Sequence, residues 1–148
     1  MDYYGNRDIL QNHKVGFLCS RRCPAEIVLK SYDWAKEQRV NGVTVICGNH
    51  SQIEKDVFEI LLKGKQPLIL VLARGRMKLW PDTIIPEVEK GRLLVIAPFE
   101  EKVTRVSTTT AETRNRHITE LSDQLVVGYV ARGGMLEKIL AQEVWDSL

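Results

Sequence analysis

The sequence predicts an α/β fold: a doubly wound, mostly parallel sheet held between two layers of helices. Three observations predict it. Short apolar runs recur five times, each followed by a polar turn and then by residues of helical period. The runs are nearly continuous rather than alternating, as in strands covered on both faces. Finally, 148 residues with 44% apolar content suffice for one domain with a sizeable core but not for two ordinary domains.

The first run is 14-KVGFLC-19. Pro24 follows it and suits the first turn of a helix, where its missing N–H costs nothing. Ile27/Val28, Tyr32 and Ala35 then recur at helical spacing until Asn41-Gly42 marks the stop. The second strand is VTVIC (43–47). After it, Ser51 and Glu54 have the spacing of a capping box, with Ile53, Val57 and Ile60/Leu61 as the apolar face and Gly64 at the end. The third strand is PLILVLA (67–73). In 81-PDTIIPEVEKG-91, Pro86 rules against a long helix and predicts a loop followed by a short one.

RLLVIAPF (92–99) is the fourth strand. A polar loop follows, and Thr109 with Glu112 predicts the cap of a helix running to about Ser122. The fifth strand is QLVVGYVA (124–131). Gly133-Gly134 then open a last helix over MLEKILAQEVWDSL, with Met135, Ile139, Leu140 and Val144 on one stripe. Residues 1–13 are expected to be an N-terminal extension to a single domain of residues 14–148.

Several classes of function are disfavoured. Lys and Arg number 21 against 19 Asp and Glu, a formal charge of +2, so only local clustering could mark a nucleic-acid surface. The polar start MDYYGNRDILQNH lacks the apolar core of a signal peptide, and no run is long enough to span a membrane. Cys19, Cys23 and Cys47 have no metal-site spacing and no CxxC; they read as packing residues in a reduced, cytoplasmic protein. His13, His50 and His117 make no metal pattern either. No GxGxxG follows the first strand and no Walker A motif is present, so neither a dinucleotide nor any other cofactor is expected.

Ligands of such sheets bind outside the carboxyl ends of the strands, where strand order reverses. The residues just after each strand are therefore informative. They include Ser20, Arg21 and Arg22; Gly48, Asn49, His50 and Ser51; Arg74, Gly75 and Arg76; a threonine-rich loop; and Arg132, Gly133 and Gly134. Acidic residues lie mostly within helices. A basic edge with glycine-opened helix starts is what an anion site requires. Arg114, Ile118 and Leu121 share a helix face, which turns Arg114 toward the body of the protein, where its fork could hold phosphate. Asn115 could order it or bind the ligand; the alternative is that Arg114 pairs with a carboxylate. Arg116 and His117 point elsewhere. Glu137, one turn after the glycines, could support cleavage of a nucleotide's glycosidic bond. Trp80 could stack on a base or serve as a hydrophobic anchor.

With these residues in view, the sequence resembles the Rossmann-like core of the DNA-processing protein A (DprA/Smf) family. That family is related to the LOG, or lysine-decarboxylase-like, proteins. KVGFLCSRRCP resembles its opening strand and Gly/Ser-Arg turn. GVTVICGNHSQIEKDVFEILLKG resembles the glycine turn leading into an Ile-Asp-x-x-Ala-His helix, with Glu54 in place of the aspartate. Arg114-Asn115-Arg116, Ile118 and Leu121-Ser122 resemble the Arg-Asn-Arg-Ile-Ile-x-x-Leu-Ser signature. The resemblance implies a three-layer Rossmann-like sandwich that binds single-stranded DNA and hands it to a recombinase, a homo-oligomer rather than an enzyme. Arg21, Asn49, His50, Arg114, Asn115 and Arg116 would assemble the pocket, with Arg22, Gly48, Arg74, Gly133 and Gly134 beside them. The alternative it implies is a nucleotide-binding or nucleoside-monophosphate-hydrolysing protein of the LOG type.

Overall fold

The computed structural model describes residues 1–148. Along the chain run β1 (Asp2–Gly5), a 3-10 turn (Arg7–Gln11), β2 (Lys14–Leu18), α1 (Ala25–Asn41), β3 (Thr44–Cys47) and α2 (Gln52–Leu62). They are followed by β4 (Leu68–Val71), α3 (Ile85–Glu89), β5 (Leu93–Ala97), α4 (Thr108–Leu121), β6 (Gln124–Val127), α5 (Met135–Leu140) and β7 (Asp146–Ser147). One sheet holds all seven strands in the order β1-β5-β4-β3-β2-β6-β7. Every pairing is parallel except that of β1 with β5. The three-layer, doubly wound architecture is the one expected.

Strand periodicity builds the two cores. Because successive side chains point to opposite faces, Val45, Cys47, Leu68, Leu70, Leu93 and Val95 face one side with Val57 and Leu61 of α2. Ile46, Ile69, Val71, Leu94 and Ile96 face the other, against Ile118 of α4 and Ile139 of α5. The middle strands are covered on both faces, which is why they read as unbroken apolar runs.

Local signals account for most boundaries. Gly42 adopts φ 71°, the left-handed conformation that ends α1. Ser51 and Glu54 form the expected capping box on α2. Pro86 lies in the first turn of the short α3. Arg92 closes the far end of α2: its buried guanidinium donates to the carbonyls of Leu61, Leu62 and Gln66 and to Glu87 Oε1 at 2.8–3.1 Å. Hydrogen bonds from Lys90 and then Arg92 hold the Glu87 carboxyl below the usual range. Replacing Arg92 by Met strands these acceptors and should cost about 2 kcal/mol in a denaturant titration; an unchanged midpoint would deny the cap.

Three expectations are corrected. The N-terminal residues do not form an extension outside the domain. Tyr3 and Tyr4 of β1 pair with Ile96 and Val95 of β5, and Ile9 is buried in the core. This covers the otherwise unpaired edge of β5. Helix α4 is capped by Ser107 with Thr110, a hydroxyl version of the box, rather than by Thr109 with Glu112. The last helix stops at Leu140. Val144 is 94% exposed, and the chain instead lays β7 along the edge of β6.

Candidate functional site

Three crossovers carry the chain from β2 outward through β3 and β4 to β5. The next crossover, through α4, returns it to the opposite side of β2 as β6. Strand order therefore reverses between β2 and β6, and ligand sites of open α/β sheets form at the carboxyl ends of such a pair. A cleft of about 520 Å³ lies at that place. It is lined by the turn after β2 (Cys19 to Arg22), the starts of α2 (His50, Ser51, Glu54) and α4 (Val106 to Thr108, Ala111), and Ala131 and Gly134 to Leu136 before and in α5.

The turn after β2 is fixed from across the switch point. Ser20 N–H donates to Tyr129 O and Ala131 N–H donates to Ser20 Oγ, both at 2.8 Å. This leaves Arg21 and Arg22 exposed at the cleft with no ion-pair partner. His50 is exposed there too. The N-terminal ends of α2 and α4 open onto the same space, and their dipoles favour negative charge.

Under the cleft runs a buried chain of polar groups. Glu54 accepts from Ser51 N–H through Oε1 at 3.0 Å and from Arg114 Nη2 through Oε2 at 2.8 Å. Arg114 is 3% exposed, and its Nε donates to Asn115 Oδ1 at 2.8 Å. Asn115 Nδ2 reaches Met135 Sδ at 3.4 Å. One chain thus ties together the starts of α2 and α5 and the middle of α4. Of the two readings open for Arg114, the structure selects the carboxylate pair. Two nitrogens of its fork, Nε and Nη2, are engaged within the protein, while Arg114 and Asn115 also line the floor of the cleft. Gly48 makes room for the guanidinium: a Cβ there would collide with Arg114 Nη1.

The other expected residues divide by strand position. Gly134 lines the cleft, and Gly133 beside it adopts φ 73° and donates to Glu137 Oε1. Asn49 is half-buried and does not line the cleft. Arg74 follows β4, two strands from β2, about 10 Å across the sheet, and its Nε turns to Gly75 O at 3.3 Å. Arg116 is exposed outside the cleft and faces Glu112 at 3.5 Å. Trp80 stacks on Tyr4 with ring centroids 4.8 Å apart, so it anchors β1. Ser107, Thr108 and Met135 join the lining although residue type alone did not single them out. Burial, and then the neighbouring Cys23, push the Cys19 thiol up to about 12; burial does the same to Cys47. No helix is long and apolar enough to cross a membrane.

The comparisons with known proteins bear on the family and the fold. Residues 1–141 match the family model of DNA recombination-mediator protein A. The chain belongs to that family. Among solved structures, the chain is similar to DNA processing protein A from Helicobacter pylori, in a study of that protein's single-stranded DNA binding mode. The TM-score is 0.76 and the identity 17%, over 98% of this chain and 69% of that one. For DNA processing protein A of Streptococcus pneumoniae the values are 0.66 and 19%, over 99% and 62%. A molybdenum cofactor binding protein from Rippkaea orientalis follows at 0.56 and 14%, over 86% and 68%. The chain therefore spans about two thirds of the length of these relatives. A search of curated proteins gave no match.

Proposed function

We propose that the chain binds single-stranded DNA through its phosphates, in the cleft between the ends of β2 and β6. One observation carries the proposal: Arg21 and Arg22 stand exposed and unpaired over two helix N-termini, while the carboxylate in the lining, Glu54, is neutralised by Arg114. Membership of the recombination-mediator family and the fold shared with a protein studied for single-stranded DNA binding support the same reading. The residues assigned to the strand are Arg21, Arg22, His50 and Gly134. Gly48, Arg114 and Asn115 hold the floor, Asn49 and Gly133 adjoin the lining in sequence, and Arg74 and Arg116 lie outside the cleft. Handover of the strand to a recombinase, assembly into a homo-oligomer and a cytoplasmic site of action complete the proposal. No catalytic step is included.

The test is a titration of a labelled single-stranded oligonucleotide at several salt concentrations. Contacts to two or three phosphates should give a slope of log K against log salt of about −1.4 to −2.1. The cleft is also of a size that holds small ligands, so a nucleoside monophosphate belongs in the same experiment. Salt-independent binding, or a monophosphate that binds as tightly as the oligonucleotide, would overturn the DNA reading.

A further inference from the structure

The loops after β4 (74–80) and β5 (100–106) lie at the same edge of the sheet as the cleft. Gly75 locks them together. Its N–H donates to Val103 O at 2.8 Å, its backbone bridges to Phe99, and a Cβ there would collide with the Glu100 carbonyl. The two loops hold five basic side chains and two acidic ones, so their net charge exceeds the +2 of the whole chain. Lys102 pairs with Glu100, but Arg76, Lys78 and Arg105 are exposed and in no ion pair. Arg76 lies over the Tyr4 ring, 5.4 Å from its centroid, which orients the side chain while leaving it open to solvent. The loop after β5 also leads into the cleft. Val103, fixed by Gly75, and Val106, in the cleft wall, can be at most about 10 Å apart, and Arg105 stands between them.

Resting on the DNA reading above, we infer that a single strand leaving the cleft continues over Arg105 to Arg76 and Lys78, which hold its next phosphates. The positive charge there is concentrated and unpaired, which suits a polyanion. It is also continuous with the cleft wall through Arg105, so one strand can engage both. Once the strand is held in the cleft, contact with the loops is intramolecular and costs no further loss of translational freedom. The outer phosphates therefore add affinity even though each exposed contact is weak alone. A mononucleotide, or a strand too short to leave the cleft, gains nothing from them. The outer track thus makes this surface select long single strands over short ones.

The whole chain is titrated, at several salt concentrations, with labelled oligothymidylates of about four and about twelve nucleotides, within the range of known single-strand sites. The longer strand should bind more tightly by about tenfold or more. Its salt slope should be steeper by about 1.4 to 2.1, two or three further phosphates at about 0.7 each. A long strand also offers more positions for binding, but that statistical gain leaves the slope unchanged. Arg76→Ala combined with Arg105→Ala should weaken the longer strand by about tenfold, the loss of roughly one charged hydrogen bond. The shorter strand should keep its wild-type affinity, which also shows that the variant is folded. Lys63→Ala with Lys65→Ala removes the same charge beyond the opposite ends of the strands and should leave both lengths unaffected. Equal slopes for the two lengths, an unaffected long strand in the arginine variant, or the same loss at both lengths or in the lysine variant would each overturn the track. If it fails while the shorter strand still binds in a salt-dependent way, the DNA reading stands without it. A wild-type protein that binds neither length overturns the DNA reading, and the track with it.

Discussion

Replacing Arg114 by alanine is expected to lower stability by about 3–5 kcal/mol, the cost of removing one partner of a buried ion pair. The magnitude follows from what remains behind. Glu54 would keep its bond from Ser51 N–H but lose the cation 2.8 Å from its other oxygen, while only 8% exposed. Asn115 would lose the donor to its Oδ1. In thermal unfolding this corresponds to a midpoint lower by roughly 10 °C for a domain of this size. Gly48→Ala should fail in the same way, since its new Cβ would displace the guanidinium. Glu54→Gln keeps the shape and an acceptor for Ser51, so it isolates the charge. It should fall between wild type and Arg114→Ala. An Arg114→Ala protein within about 1 kcal/mol of wild type would mean that the strut contributes nothing.

The same pair shows what the sequence could and could not convey. Helical spacing placed Arg114 on the inward face with Ile118 and Leu121, and that is where it lies, but spacing does not say what an inward arginine meets. Its partner is 60 positions earlier, at the start of another helix. Glu54 was legible as a cap, a role that uses only one of its oxygens. The strand ends were legible because a short, unbroken apolar run bounded by turn residues suits a strand covered on both faces. Arg21 and Arg74, however, look alike as strand-end arginines. Only the order β4-β3-β2-β6 separates them, leaving one at the point of reversal and the other two strands away. The edge strands were lost for a related reason. Polar Asp2–Gly5 and the two-residue β7 lack a buried pattern of their own, and they exist because neighbouring strands offer open backbone groups. The relation between motif and role is also altered. Arg-Asn-Arg reads as an anion-binding run, yet its first two members build the floor and its third lies on the outer face.

Changing Arg21 and Arg22 together to alanine is expected to weaken single-stranded DNA binding by about a hundredfold, if each guanidinium makes one charged hydrogen bond of about 1.5 kcal/mol to phosphate. Both side chains are exposed and unpaired, so the fold should be indifferent to the change, and unfolding midpoints should match wild type. The salt slope should become shallower by about 1.4, two phosphates at about 0.7 each on a single strand. Replacing both by lysine restores the charge without the planar fork; it should recover the slope but not all of the affinity. Arg116→Ala is the control. It removes an equal charge from the same chain, but from outside the cleft, where it faces Glu112. Net charge alone would make Arg116 cost as much as either cleft arginine. If it does, binding is diffuse over the surface and the cleft has no special part in it. If the double variant loses affinity and slope while Arg116→Ala keeps both, the phosphates lie where the strand order reverses.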